Sequence, residues 1–248
     1  MRWVALVALG TSGFVVTTLS RPPFPAPVAN AAAPTHMRIV SSQYHAPSAS
    51  GQSVIPHGVP QRFQGAPLLI GFTQGTSAFV LYGKEGGSAR YLLAFGSKAR
   101  FRYGFDFKRY VWPPRIRPGE REFVYEAVVW AREASGVLYV ENAHSTYARS
   151  SYDRNAYVTA IDLETKRRIW RSAALVANAK TFVLAGRYLV TGYGFTAEPD
   201  HLYLLDRKTG RVVERLKMPS APERIIRHGN RLAVRTYDHD VVVALENA

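Results

Sequence analysis

The densest group of chemistry-bearing residues in this chain is Tyr237-Asp238-His239-Asp240, two carboxylates bracketing an imidazole. Such a cluster could bind a divalent metal weakly or move a proton, since an imidazole titrates near neutrality and a neighbouring carboxylate orients it. The same four residues also suit a hairpin turn, where Asp side chains accept bonds from nearby backbone amides. The histidines are His36, His45, His57, His144, His201, His228 and His239, and none pairs as H-x-x-x-H or H-E-x-x-H. A zinc constellation is therefore not signalled. With no Cys in the chain, thiolate catalysis, disulfides and lipid attachment through Cys are excluded. No G-x-S-x-G elbow, P-loop or G-x-G-x-x-G occurs.

Two further stretches carry binding chemistry rather than catalytic chemistry. The first spans Asn142 to Arg154 and contains His144, Tyr147, Arg149, Tyr152 and Arg154. The second is Tyr110 to Arg115, with Tyr110 and Trp112 beside Arg115. Tyr, Ser and Arg supply stacking and hydrogen bonds at binding surfaces, and function in rigid scaffolds concentrates on loops. Gly192-Tyr193-Gly194 reads as a bend.

These residues need elements to hold them. YVTAIDLETKRRIW begins at Tyr157 and returns as HLYLLDRKTGRVVE at His201. Each copy is an apolar strand, an Asp-led polar turn and a second strand, the mark of a repeated supersecondary unit. Short β-branched and aromatic runs between Gly, Asn, Asp and Pro fill the rest. Phe101, Tyr103, Phe105 and Phe107 alternate with Arg102, Gly104 and Asp106, the period of a strand with one buried face. The runs group into units at about 63–107, 123–171, 181–217 and 223–246. Ala173 to Lys180 is the best, and a short, helical candidate. The fold class expected is all-β: a β-propeller of about four four-stranded blades, closed or partial. The last unit lacks an outer strand, and Met37 to Ser42 is β-compatible and could supply it.

Ahead of residue 63 the composition changes. Met1-Arg2, an uncharged apolar run from Trp3 to Leu19 and Ala29-Asn30-Ala31 follow the pattern of a secretory signal peptide over 1–31, or an uncleaved anchor. Residues 32–62, rich in Pro, Ala and Ser, read as a linker, and 63–248 as the propeller-like domain. The formal net charge is +14, which favours anionic partners without specifying a fold.

Ala160-x-Asp162-x-x-Thr165, followed by Trp170, resembles the repeat of quinoprotein-like (PQQ-like) β-propellers, which reads A-x-D-x-x-T-G-x-x-x-W. The family Gly is Lys166 here; the next copy keeps Asp206, Thr209 and Gly210 but has Glu214 for Trp. The resemblance implies that the Asp, Thr and Gly shape a hairpin and that the Trp packs between blades. It brings no cofactor with it, because a quinone-dependent enzyme of that family is longer and often carries a vicinal Cys pair. The function expected is an exported, non-enzymatic binding or scaffold protein acting through loops on one face, periplasmic, cell-surface or secreted. Its partner would be a protein, a peptide or an anionic envelope polymer, not nucleic acid, and a membrane only if the N-terminal segment stays as an anchor. The alternative is a cell-envelope hydrolase or lyase using Asp238, His239 and Asp240.

Overall fold

A computed structural model of the chain describes residues 16–19, 35–47, 54–84, 88–108, 117–120, 124, 126–144, 155–196 and 198–247. Two early strands, β1 (Val16–Thr18) and β2 (Thr35–Tyr44), precede a short β3 (Arg62–Phe63). The first full sheet then contains β4 (Ala66–Gln74), β5 (Ser77–Lys84), β6 (Ser88–Phe95) and β7 (Phe101–Asp106), in the order β1-β7-β6-β5-β4-β3. The second contains β8 (Ala127–Ala134), β9 (Val137–Ala143), β10 (Tyr157–Asp162) and β11 (Arg168–Arg171). The third contains β12 (Val183–Ala185), β13 (Tyr188–Phe195), β14 (Glu198–Asp206) and β15 (Val212–Lys217). The fourth contains β16 (Pro222–His228), β17 (Arg231–Thr236) and β18 (His239–Asn247), and β2 completes it. The strands β4–β7, β8–β11, β12–β15 and β16–β18 each form an antiparallel meander of neighbours in sequence, which makes each sheet one blade of a β-propeller.

The fourth strand of the last blade comes from the N-terminal side. β2 runs antiparallel to β18 with Leu245 opposite Met37 and Val241 opposite Ser42. Met37 is fully buried, and its backbone N–H donates to Glu214 Oε2 at 2.9 Å. Residues 35–44 thus form a strand within the stretch that composition marks as linker. β1 lies within the expected export segment and pairs parallel to β7, Val16 opposite Gly104.

Both copies of the Asp-led repeat form tight hairpins. Asp162 Oδ1 accepts from the Thr165 backbone N–H at 2.6 Å and from its hydroxyl at 2.9 Å. Asp206 Oδ1 accepts from the amides of Lys208 at 2.9 Å and Thr209 at 3.0 Å. The turn's next residue needs a left-handed backbone, found at Gly210 (φ 72°) and, without the relief of glycine, at Lys166 (φ 58°). A Cβ on Gly210 would meet Trp170 at 2.4 Å. Trp170 packs between blades two and three, with its indole N–H donating to the Arg207 carbonyl at 2.9 Å.

Three apolar interfaces join the blades in succession. Phe79, Leu92 and Phe105 meet Leu138, Val140 and Tyr157 between blades one and two. Tyr139, Ala160 and Trp170 meet Phe182, Leu189 and Leu205 between two and three. Val190 and Leu204 meet Leu232, Val243 and Met37 between three and four. Each large side chain so buried contributes roughly 1.5–3 kcal/mol. The other face of blade one is covered by Val59 and Phe63. Among the described residues no apolar cluster joins blade four to blade one.

Two local expectations are corrected. Ala173 to Lys180 is not helical. Its amides are taken by other segments: Leu175 donates to the Asn155 carbonyl at 2.8 Å and Asn178 to the Gly192 carbonyl at 2.8 Å. Gly192-Tyr193-Gly194 is not a bend but part of β13. Its glycines leave room for the chain entering blade four, since a Cβ on Gly192 would meet Pro222 at 2.6 Å and one on Gly194 would meet Ala221 at 2.7 Å.

Candidate functional site

Of the residues selected from sequence, His144, Asp238, His239 and Asp240 are described, at the β9 exit and at the β17–β18 turn. Tyr110, Trp112, Arg115, Tyr147, Arg149, Tyr152 and Arg154 lie outside the described residues. The roots of their connections are described. Ala127, where 107–126 enters β8, pairs with Ala143, and Tyr157, where 144–156 enters β10, pairs with Asn142. The two long connections therefore root side by side on blade two. The links equivalent to 144–156 in blades three and four are much shorter, residues 196–197 and 237–238.

Beneath these roots the blade buries several polar side chains. Tyr157 donates from its hydroxyl to Glu126 Oε2 at 2.5 Å, and the Arg171 guanidinium lies 4.6 Å from the Tyr157 ring centroid. His144, 7% exposed, donates its backbone N–H to Asn155 Oδ1 at 2.8 Å, which pinches the base of the 144–156 connection. Glu141 is fully buried, and among the described residues neither carboxyl oxygen has a hydrogen-bond partner. Burial raises its pKa well above the ordinary carboxylate range.

Asp238, His239 and Asp240 occupy the turn between β17 and β18 and its exit. Asp238 Oδ1 accepts from the Ser220 hydroxyl and lies 2.7 Å from His239 Nδ1. The Ser220 bond first, then His239, hold the Asp238 carboxyl below the usual range. Ser220 is thus bonded to the carboxylate and to the Thr236 hydroxyl at 2.6 Å. A nucleophilic serine needs an imidazole between hydroxyl and acid, to take the proton; here the carboxylate sits between them. Asp240 stands apart, 4.0 Å from His45 Nε2 and 3.9 Å from Arg235. Among the described residues no group of three His, Asp or Glu is placed to hold a metal ion.

A second site lies on the propeller axis, where sequence reasoning did not look. The first strands of all four blades, with Thr181 and Phe182 leading into β12, line a cleft of about 590 Å³. It lies toward the β4–β5 and β16–β17 turns, at Gln74 and Gly229, and so away from the roots of the long connections. Arg132 of β8 and Arg224 and Arg227 of β16 line it, and no carboxylate does. Arg227 donates to the carbonyls of Gly229 at 2.7 Å and Leu184 at 3.0 Å. Arg132 is half-buried, and burial lowers its pKa. The acid next to it, Glu133, turns away to blade one, where Arg102 grips both oxygens at 2.7 and 2.8 Å and the Tyr103 hydroxyl donates at 2.7 Å. The indole N–H of Trp130, also in the lining, is buried without a hydrogen-bond partner among the described residues. The sequence signal was present: Trp130 and Arg132 share a face of one strand by their spacing, and Arg224 and Arg227 bracket two isoleucines.

Among the described residues no helix is long and apolar enough to cross a membrane. No family model matches the sequence, and no curated protein matches it. Solved structures similar to this chain include the computationally designed Ika4 protein, at 10% identity over 80% of this chain and 99% of that one, with a TM-score of 0.46. They include the computationally designed Ika8 protein, at 9% identity over 73% of this chain and 58% of that one, with a TM-score of 0.39. BamB from Moraxella catarrhalis is similar at 14% identity over 73% of this chain and 72% of that one, with a TM-score of 0.36. The β-propeller assignment rests on the four meandering sheets themselves, and the quinoprotein-like repeat is a resemblance of fold.

Proposed function

We propose that the chain is an exported, non-enzymatic β-propeller that binds a macromolecular partner through the rim carrying residues 107–126 and 144–156. The observation behind this reading is the adjacency of those two connections on blade two, above a packed polar base. Long loops on a rigid sheet scaffold are where binding residues accumulate. Tyr110, Trp112, Arg115, Tyr147, Arg149, Tyr152 and Arg154 give this rim aromatic and basic character, with His144 at its base. That composition suits a protein, a peptide or an anionic envelope polymer, and the net charge of +14 adds long-range attraction for acidic partners. Export rests on the pattern of residues 1–31.

The test is a variant in which residues 145–154 are replaced by Asn-Gly, a two-residue hairpin turn. It is compared with the parent chain for in-cell crosslinking and for binding to purified lipopolysaccharide and lipoteichoic acid. The shortened variant is expected to melt within a few degrees of the parent and to lose the crosslinked product or the polymer binding. Equal capture by both chains would sink the reading.

A further inference from the structure

We propose that the axial cleft is a binding site for a phosphate-type oxyanion, received by Arg132 of blade two and Arg224 of blade four. This goes beyond the rim reading: the cleft lies toward the other end of the blades, and its residues belong to first strands rather than to the long connections.

The charge balance is the first support. Three guanidinium groups line about 590 Å³ without a lining carboxylate. The acids near this lining are committed elsewhere: Glu133 to Arg102, and Glu223 to Lys180 at 3.2 Å. Like charges gathered around one cleft raise a positive potential in it. A half-buried guanidinium with no counter-ion is also costly, and an incoming anion offsets that cost.

Donor geometry is the second. Arg227 spends donors on the Leu184 and Gly229 carbonyls, so it contributes charge while tying β16 to β12. The guanidinium groups of Arg132 and Arg224 make no hydrogen bond or ion pair with any described residue. Their planar forks match the oxygens of phosphate, and a lysine would offer only a point charge. The buried indole N–H of Trp130, without a hydrogen-bond partner among the described residues, is one more donor in the same lining. An ammonium or metal cation is repelled by this set, and an apolar ligand would leave the guanidinium groups desolvated.

The full chain is titrated with inorganic phosphate by calorimetry, at an ionic strength held constant with sodium chloride. Saturable one-to-one binding is expected. Arg132→Gln and Arg224→Gln should each weaken it at least tenfold, and Arg167→Gln, at an exposed hairpin, less than twofold. Absence of saturable binding, or equal loss in all three variants, overturns the proposal, because either result reduces the effect to bulk charge. Should Arg132→Gln fail to fold, Arg224→Gln and Arg132→Lys decide instead. Arg224 is exposed, so its replacement leaves the core intact, and Lys at 132 keeps the charge without the fork and should still weaken binding. Competition between sodium polyphosphate and free phosphate for the site supports it for either source. Binding of polyphosphate alone replaces the compact site by a polymer track. The chain shortened at 145–154 should keep phosphate affinity, so the rim and the cleft can fail separately.

Discussion

Closure of the fourth blade by β2 is open to a quantitative test at Met37. Its side chain is fully buried among Val183, Leu204, Leu232 and Val243, although it sits in a Pro- and Ala-rich stretch far from those residues in sequence. Were residues 35–44 a solvated linker, removing three heavy atoms from Met37 would cost almost nothing. Seated as the structure has it, Met37→Ala should cost about 2–5 kcal/mol from lost transfer and cavity formation. For a domain of this size about 2–4 °C of melting temperature accompanies each kcal/mol, so a fall of about 4–20 °C is expected. Val40, on the same strand but 43% exposed, is the control; Val40→Ala should stay within about 0.5 kcal/mol. Urea unfolding followed by tryptophan fluorescence and by far-ultraviolet circular dichroism gives both values. Equal stabilities for the two variants would refute the pairing of β2 with β18, and the fourth blade would need another outer strand.

Three other outcomes follow from the same packing. Glu141 is buried without a partner among the described residues and its pKa is raised by burial, so between the ordinary carboxylate range and that raised value the folded chain holds a proton that the unfolded chain has released. Stability should therefore fall as pH rises through that window, and Glu141→Gln should flatten the slope in urea melts between pH 4 and 8; an unchanged slope would mean that Glu141 meets solvent. Gly210→Ala must adopt a positive φ and drive its Cβ against Trp170, so it should cost well over the ~1 kcal/mol expected of Gly186→Ala, whose Cβ meets nothing, and thermal melts that rank the two equally would count against the Trp170 seat. Lys166→Gly relieves a left-handed backbone but removes a bond from Nζ to the Leu163 carbonyl, so its melting temperature should move by no more than the equivalent of about 1 kcal/mol either way.

What was legible in the sequence is what local chemistry decides. The Asp162–Thr165 and Asp206–Thr209 turns follow from side chains that reach their own backbone two or three residues on. The blade units follow from alternation and turn residues, which a strand carries within itself. Even the missing outer strand could be found, because Met37 to Val40 stands out as β-compatible among prolines. Ala173 to Lys180 was not legible: its residues favour a helix, but carbonyls of Asn155, Ala156 and Gly192, on neighbouring segments, claim its amides. Tertiary partners decided that segment, and local preference cannot anticipate them. Nor could Gly192 and Gly194 be understood before Ala221 and Pro222 were known to press on them.

The axial cleft escaped for a different reason. Read by apolar runs alone, the units at 123–171 and 223–246 give no sign that Arg132, Arg224 and Arg227 line one cleft. The structure extends β8 to Ala134 and β16 from Pro222 to His228, and so carries all three arginines onto first strands. Within their sheets β8 and β16 are paired on one side only, and both line the cleft. There Arg132 is half-buried while Arg224 and Arg227 stay exposed, and the cleft lies between them. Alternation is then broken at the positions nearest the axis, and a breach of pattern on an inner strand becomes a signal for a site. Blade position converts these arginines from surface charge into a converging set, and that position is a property of the assembled propeller and of no single repeat.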